Sequence, residues 1–237
     1  MCALNLYMDK DRFYYDEKFL GSMSGRPLRI LSEYLGPLSA FQRNRIKDTI
    51  VFFGSARLKE QNKYYQKTRD LAYKLTKWTM ENYTDEHRYV ITSGGGPGIM
   101  EAANKGAKEA GGKSIGLGIS LPFEKTNNEW ITKGLNFVFH YFFMRKFWFI
   151  YKTKGIICMP GGFGTLDELF DILTMLQTNK ISRKIPIVLF GSKYWNGLIN
   201  WDRMIENKTI SRSALKLFVT LDSVDEAFEY LIQNMQK

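Results

Sequence analysis

A glycine-rich turn at residues 160–168 carries the clearest chemistry in this chain. It reads Pro160-Gly161-Gly162-Phe163-Gly164-Thr165-Leu166-Asp167-Glu168. An apolar, strand-like run precedes the turn, and apolar residues at helical spacing follow it, which predicts a strand, a tight turn and a helix. Glycines let backbone N–H groups approach an anion, and a helix start adds partial positive charge. The pattern therefore predicts a phosphate site, and its binding residues are Gly161, Gly162, Gly164 and Thr165.

Glu168 and Arg145 are the candidate catalytic residues. Glu168 falls one turn into the predicted helix, where its carboxylate can face whatever the phosphate carries. A glutamate there is often only a capping partner, but the neighbouring glycines favour a site. Arg145 lies in a segment that is apolar on nearly every helical face. A buried guanidinium needs an anionic partner such as Glu168 or a phosphate, although an arginine can also snorkel from a dimer interface.

Three ordered motifs resemble the LONELY GUY (LOG) family, often labelled "lysine decarboxylase-like". They are the P-G-G-x-G-T-x-x-E signature at residues 160–168, a second glycine-rich turn at residues 93–101, and the segment Phe142-Phe143-Met144-Arg145-Lys146. Characterised members of the family hydrolyse nucleoside 5′-monophosphates to a free base and ribose 5-phosphate. Each motif alone would be only a hypothesis, but together they span about residues 48–191 in the expected order.

The resemblance implies a mechanism and further site residues. By analogy with glycoside hydrolysis, Glu168 would stabilise an oxocarbenium-like sugar and orient or deprotonate water, while Arg145 would position Glu168 and contact the nucleotide. Glu101 would lie near the ribose. The complete set of additional substrate-binding residues is Ser55, Gly95, Gly96, Glu101, Met144 and Lys146. Met100 and Met144 could line a base pocket, although core filling is the commoner role of methionine.

The chain departs from short plant-type members of the family. It has an extension before Lys47, and Phe142-Phe143-Met144 precedes Arg145 where those members carry a histidine-containing lead. Both features resemble a longer bacterial-type branch, so the base could be adenine, a modified adenine such as a cytokinin, or a pyrimidine. A catalytically silent nucleotide or cofactor carrier on the same fold is the alternative function. The presence of both Arg145 and Glu168 favours the enzyme.

Other chemistries find less support. Gly112-Lys113-Ser114 ends like a Walker A loop, but Ala107 stands where the first glycine is needed. The turn at residues 94–98 does not fit the dinucleotide-binding pattern G-x-G-x-x-G. We expect no metal and no organic cofactor, since no metal-ligand spacing and no pyridoxal lysine is identifiable. His140 is interpreted as a core or strand-end residue and Cys158 as packing.

Alternating apolar runs and helical patterns predict the architecture. Strands are expected near residues 49–54, 89–92, 113–120, 135–139, 155–159, 186–190 and 217–220. Helices are expected near residues 63–82, 98–110, 165–178, 194–206 and 224–236, around Arg145, and at 28–35. Repeated βα units predict a Rossmann-like, doubly wound parallel α/β sheet. We assign residues 1–47 to an N-terminal helical extension and residues 48–237 to the nucleotide-binding catalytic domain.

Composition and charge limit the remaining possibilities. The 237 residues include two cysteines, no signal-peptide pattern and no apolar run long enough to cross a membrane, so we expect a cytoplasmic protein without a membrane partner. The 34 basic and 24 acidic residues give a net charge of +10. The basic residues are scattered and match no RNA- or DNA-binding motif, which argues against nucleic acid and suits an anionic nucleotide. The aromatic run at residues 137–151 predicts a homodimer or higher homo-oligomer.

Overall fold

A seven-stranded parallel sheet organises the chain. The computed structural model describes residues 12–83, 87–120 and 128–235. The strands are β1 Thr49–Phe53, β2 Val90–Ser93, β3 Ser114–Ile119, β4 Asn136–Phe139, β5 Thr153–Cys158, β6 Ile187–Phe190 and β7 Val219–Leu221. The helices are α1 Glu17–Gly21, α2 Arg26–Arg43, α3 Lys63–Asn82, α4 Ile99–Glu109, α5 Phe142–Tyr151, α6 Phe163–Gln177, α7 Ser192–Leu198, α8 Trp201–Glu206 and α9 Val224–Met235. Two 3-10 helices, Phe13–Tyr15 and Arg212–Leu217, complete the described elements.

The strand order creates a switch point beside the central strand. The order is β4-β3-β2-β1-β5-β6-β7, and all neighbouring pairs are parallel. The chain therefore builds outward from β1 to one edge and then returns to the other side of β1 with β5. In such sheets a crevice opens beyond the carboxyl ends of the strands at this reversal. The predicted Rossmann-like α/β fold is confirmed.

Burial on both faces explains why the strands read as continuous apolar runs. All five residues of β1 are buried. Val51 and Phe53 belong to one core cluster, and Ile50 and Phe52 belong to a second cluster on the opposite face. This alternation follows from the two-residue period of a strand, and helices covering both faces exclude water from both clusters.

The predicted elements are present, with three changes in their bounds. All seven strands form, and α3 begins and ends where it was predicted. The helix α6 begins two residues earlier than predicted, because the Gly162 carbonyl accepts the N–H groups of Thr165 and Leu166. The helix predicted at residues 194–206 is wrong as one element, since it is divided into α7 and α8. The side chain of Asn200 accepts the N–H of Arg203 and so begins the second helix.

The third change concerns the extension, where α2 continues past its predicted end. The helix passes through Pro37 and ends at Arg43. Proline has no N–H, so the carbonyl of Glu33 loses its partner within the helix. That carbonyl instead accepts the indole N–H of Trp148 at 3.0 Å. Contact with α5 thus compensates the proline, and the sequence of α2 alone could not show it. Within the described ranges, no helix is both long and apolar enough to cross a membrane.

Candidate active site

Three turns meet at the carboxyl ends of β1, β2 and β5. The N–H of Ser55, after β1, donates to the Pro160 carbonyl after β5 at 3.0 Å. The Ser55 carbonyl in turn accepts the N–H of Ile99, which opens α4 after β2. Gly98 approaches the Ser55 and Ala56 backbone so closely that a Cβ there would overlap it. The three turns are therefore bonded to one another at the switch point of the sheet.

The turn after β5 has one packed glycine and two open ones. A Cβ on Gly161 would overlap the side chain of Thr165 and come within 3.1 Å of the Gly54 carbonyl carbon. Cβ atoms on Gly162 or Gly164 would meet nothing within 4 Å. The backbone N–H of Thr165 donates to Gly162, so its hydroxyl is the group left for a ligand. The first N–H groups of a helix have no partner within the helix, and here they begin at the open side of the turn.

Tyr194 holds this turn from outside the motif. Its hydroxyl, on α7, donates to the Gly161 carbonyl at 2.6 Å. Because the carbonyl is fixed on that side, the peptide is held in one orientation. No local sequence pattern connects a tyrosine 33 residues away with the glycine turn, so sequence reasoning missed it.

Glu168 is a buried carboxylate without a complete set of partners. Its side chain lies in α6, and the residue is only 4% exposed. Its Oε2 atom has no hydrogen-bond partner among the described residues. Burial raises the pKa of Glu168 to about 7, and the nearby Asp167 and Asp171 raise it as well, whereas the charges of Arg145 and Lys146 lower it. The carboxyl group can therefore exchange a proton near neutral pH.

Arg145 is held on the opposite wall of the site, on α5. Its Nε donates to the Leu117 carbonyl at 2.9 Å, and its guanidinium carbon lies 5.0 Å from the centroid of the Phe149 ring. A Cβ on Gly94 would lie 2.9 Å from Nη2, so the guanidinium lies against the second glycine turn. Burial lowers the pKa of Arg145, and the charge of Glu168 partly offsets this. Among the described residues, no hydrogen bond joins Arg145 to Glu168, so the two act on each other through space.

Lys146 connects α5 with the helix of Glu168. Its ammonium lies 2.8 Å from Asp167 and 3.5 Å from Asp171. Burial by itself would lower the pKa of Lys146, but the hydrogen bond to Asp167 and the charges of Glu168 and Asp171 raise it overall. In this structure the ammonium thus contacts carboxylates of α6, where the sequence predicted a substrate contact.

The side-chain amides of two asparagines, one buried and one partly buried, hold the second glycine turn. The left-handed backbone at Gly95, with φ of 76°, requires glycine. The side-chain amide of Asn128 donates to the carbonyls of Gly95 and Gly96 and to the Oδ1 of Asn104. Asn104 also accepts the Ser93 hydroxyl at 2.7 Å. Sequence reasoning missed both asparagines, although a fully buried polar residue in a helix such as Asn104 is a signal once burial is known.

The remaining predicted site residues contact other parts of the protein. Glu101, in the first turn of α4, accepts the hydroxyl of Tyr65 at 2.8 Å. Burial, and then this hydrogen bond, raise the pKa of Tyr65. The hydroxyl of Ser55 accepts the N–H of Arg57 at 3.1 Å. Met144 is buried and lines a groove between α2 and α5. Met100, by contrast, contacts Gly94 and Gly96 and so borders the second turn directly.

Two other side chains bear on the alternatives. His140 is exposed at the end of β4, which fits a strand-end residue and not a core residue. Cys158 is fully buried in β5, and burial raises the pKa of its thiol. The described residues contain no group of three or more His, Cys, Asp or Glu side chains that could hold a metal ion.

Comparison with known proteins identifies the family. The model of the family described as "Possible lysine decarboxylase" matches residues 100–231, more than half of the chain. The chain belongs to this family, the LOG family. A probable cytokinin riboside 5′-monophosphate phosphoribohydrolase of Oryza sativa subsp. japonica is 29% identical over 193 residues, covering 80% of this chain and 85% of the relative. The cytokinin riboside 5′-monophosphate phosphoribohydrolase LOG3 of Arabidopsis thaliana is 24% identical over 195 residues, covering 81% and 85%.

Solved structures with related folds include a molybdenum cofactor carrier protein of Chlamydomonas reinhardtii. It is 17% identical, with a TM-score of 0.49, and the match covers 80% of this chain and 99% of that one. The molybdenum cofactor binding protein of Rippkaea orientalis is 18% identical, with a TM-score of 0.49 and coverage of 80% and 98%.

The geometry of this candidate site in a LOG-family chain combines an open glycine turn at a helix start with a buried acid and a partly buried cation. Gly162 and Gly164 leave room beside the start of α6. Glu168 lies in the same helix, one turn further along, with Arg145 and Lys146 as its nearest cations. Such a site can bind an anionic group at one end and stabilise positive charge or transfer a proton at the other.

Proposed function

We propose that the chain hydrolyses the N-glycosidic bond of nucleoside 5′-monophosphates to a free base and ribose 5-phosphate. The observation that carries this proposal is the buried Glu168 carboxyl group, with one oxygen lacking a partner, in the helix whose first turn is open to an anion. The names of the relatives in Oryza sativa and Arabidopsis thaliana support the substrate class.

The proposed reaction divides the site between binding and chemistry. The 5′-phosphate binds the open turn at Gly162 and Gly164 and the hydroxyl of Thr165. As the bond between C1′ and the base breaks, the base leaves with the electron pair and takes up a proton from solvent. Positive charge develops on the ribose, and ionised Glu168 stabilises it. Water then adds to C1′ and gives its proton to Glu168, which releases it to solvent and is ionised again.

Arg145 has the role of a fixed cation in this reaction. Its charge lowers the pKa of Glu168 and so increases the ionised fraction of the carboxyl group. The hydrogen bond to Leu117 and the Phe149 ring fix its orientation before substrate binds. Preorganised charge of this kind contributes more than charge that must reorient during the reaction.

The base remains open between adenine, a modified adenine and a pyrimidine. Met100 is an apolar side chain that borders the second glycine turn. We assign it to contact with the base. The polarizable thioether of methionine accepts bases of different shape, and so it does not select one. A panel of nucleoside monophosphates, assayed for free base, identifies the preferred substrate.

The test of the proposed function is Glu168→Gln with AMP and the other monophosphates as substrates. We expect base release to fall by about a thousandfold or more, because the amide keeps the shape but not the charge. Binding of AMP should remain. Glu109→Gln is the matched control, since Glu109 is the last residue of α4, at the end away from the second glycine turn, and pairs with Arg69 on α3. If wild type binds AMP and releases no base from any monophosphate, the chain is a nucleotide carrier and the proposal is wrong.

We also propose that the enzyme is a homodimer or larger homo-oligomer. A groove of about 640 Å³ between α2 and α5 is almost wholly apolar. Its lining includes Ile30, Leu31, Tyr34, Phe143, Met144 and Phe147. Leu31 and Phe143 are each 50% exposed. Neighbouring apolar side chains that are exposed together are typical of an interface, and Phe143, Met144 and Phe147 of this groove lie on the helix that carries Arg145. In this proposal residues 48–237 form the catalytic domain and residues 1–47 an N-terminal extension, whose helix α2 contacts α5.

A further inference from the structure

The helix α5 receives a carboxylate from the extension at its start. Glu33, on α2, accepts the backbone N–H of His140 at 2.7 Å and that of Tyr141 at 3.3 Å. These two N–H groups lie immediately before the first turn of α5, whose N-cap is Tyr141. A carboxylate at this position satisfies backbone donors and also complements the positive end of the helix dipole.

The same residue contacts α5 a second time, two turns further along. The carbonyl of Glu33 accepts the indole N–H of Trp148 at 3.0 Å. That carbonyl is available because Pro37, four residues later in α2, has no N–H to donate to it. Glu33 therefore fixes both the start of α5 and the position of a fully buried side chain on it.

The guanidinium of Arg183 contacts the last turn of α5. Arg183, in the segment before β6, donates to the carbonyls of Ile150 and Tyr151 in the last turn of α5. Its Nε also donates to the Thr153 carbonyl at 3.3 Å. A cation here satisfies carbonyls that have no partner in the helix and complements the negative end of the dipole. A negative charge thus lies at the positive start of α5 and a positive charge at its negative end. Both charges come from distant parts of the chain.

We propose that Glu33 and Arg183 are positioning residues that fix α5 and so hold Arg145 against Gly94, on the wall facing Glu168. Arg145 lies in α5 between the two contacts, and a shift or rotation of this helix would move its guanidinium away from Leu117 and Gly94, which lie on other elements. A catalytic role for Arg145 depends on the proposed function, whereas the position of its side chain is observed in the structure. The extension is then part of the site's support, although none of its described residues belongs to the predicted site.

The ionisation of Glu168 reports the position of Arg145 directly. The charged groups that face Glu168 are Arg145 and Lys146 on α5, and Asp167 and Asp171 on its own helix; the buried Cys158 lies beneath it in β5. Arg145 is the first of the cations that lower the pKa of Glu168. If α5 moves, this lowering decreases, and the carboxyl group should titrate at higher pH.

The experiment is a double-mutant cycle read by ¹³C NMR of the Glu168 carboxyl group, assigned with Glu168→Gln. We expect Glu33→Ala to raise the titration midpoint by about half a pH unit, and Arg145→Met to raise it further. In the Arg145→Met background, Glu33→Ala should raise the midpoint by a smaller amount, because only the charge of Lys146 remains on α5 to be displaced. Glu33→Gln, which keeps an acceptor oxygen and the shape, should restore part of the wild-type midpoint. Glu109→Ala should leave the midpoint unchanged.

Two results would overturn the proposal. One is an unchanged or lowered midpoint in folded Glu33→Ala. The other is the same upward shift with and without Arg145, which would show general loosening of the core. If Glu33→Ala does not fold, Glu33→Gln and Arg183→Met, each also combined with Arg145→Met, give the same comparison. Base release by wild type is measured separately, so loss of the proposed function and loss of the positioning role are distinguishable: either can fail while the other stands.

Discussion

Glu168 shows at the scale of one residue how burial and charge compete. Two cations attract its carboxylate, yet its pKa is about 7 because the loss of water costs more than those charges return. An acid of this kind is costly to ionise in the folded protein and useful in a reaction that needs a base near neutral pH. The same residue should therefore influence both stability and catalysis.

The first prediction concerns stability against pH. A carboxyl group whose pKa is 4.5 when unfolded and about 7 when folded stabilises the fold fully below pH 4.5, and this contribution is lost as the pH rises through 7. The difference corresponds to roughly 3 kcal/mol. Glu168→Gln should thus gain stability relative to wild type by up to that amount between pH 4.5 and pH 8, as measured by urea unfolding. A pH-independent difference between the two proteins would contradict the assigned burial.

The second prediction concerns the rate. If Glu168 acts as the ionised group, kcat for AMP should rise with pH and reach half its maximum near pH 7. Saturating substrate is used because the phosphate itself ionises near pH 6, which affects binding. Arg145→Met should lower kcat and should also move the rise of kcat to higher pH. If kcat rises at the same pH in wild type and in Arg145→Met, the two side chains are not coupled.

Residue types and spacing were enough to select Glu168, Arg145 and the glycine turn as candidates, because these lie in contiguous motifs. They were not enough to find Tyr194 or Asn104. Each of these acts on a turn through a hydrogen bond that exists only after distant elements pack together. Local sequence contains no record of such a contact.

At the scale of elements, the turn between β5 and α6 contains one glycine that is packed against other residues and another that faces open space. Gly161 is surrounded, whereas Gly164 faces open space in the first turn of the helix. Alanine is favoured over glycine within a helix, so the open glycine costs stability, and an anion bound beside it would explain that cost.

The third prediction uses these two glycines as a matched pair. Gly164→Ala should leave the free protein equally stable or stabilise it by up to about 1 kcal/mol, and should weaken AMP binding about tenfold because its methyl group occupies the anion's place. Gly161→Ala should destabilise the protein by roughly 2 kcal/mol through overlap with Thr165. Thermal unfolding and calorimetry distinguish the two effects. Unchanged AMP affinity in Gly164→Ala would place the phosphate elsewhere.

The elements themselves were largely predictable, since each strand is an apolar run between turn residues and α3 has a clear helical period. One failure, at the end of α2, occurred where a tertiary contact replaces a local rule. Pro37 was expected to bound a helix, but Trp148 satisfies the carbonyl that Pro37 leaves free. The end of α2 was therefore set by α5 and not by the sequence of α2.

At the scale of the whole molecule, the exposed apolar groove between α2 and α5 has its own prediction. Light scattering should give the mass of at least two chains at micromolar concentration. Leu31→Lys and Phe143→Lys should each lower that mass to one chain, because a charge in the buried interface lacks a partner. Leu198→Lys is the control, since Leu198 is exposed on α7, away from the groove. A monomeric wild type with full activity would exclude both the interface and its link to the site.

The position of the site at the switch point also determines when it can exist during synthesis. Its turns follow β1, β2 and β5, and the pairing of β1 with β5 joins Ile50 to Gly155 across more than a hundred residues of chain. A ribosome must therefore have released the chain well beyond α6 before Glu168 can be buried. Until then the edge of β1 that pairs with β5 is unpaired and the Glu168 carboxyl group is in water, so any activity of this site can appear only after this long-range pairing has formed.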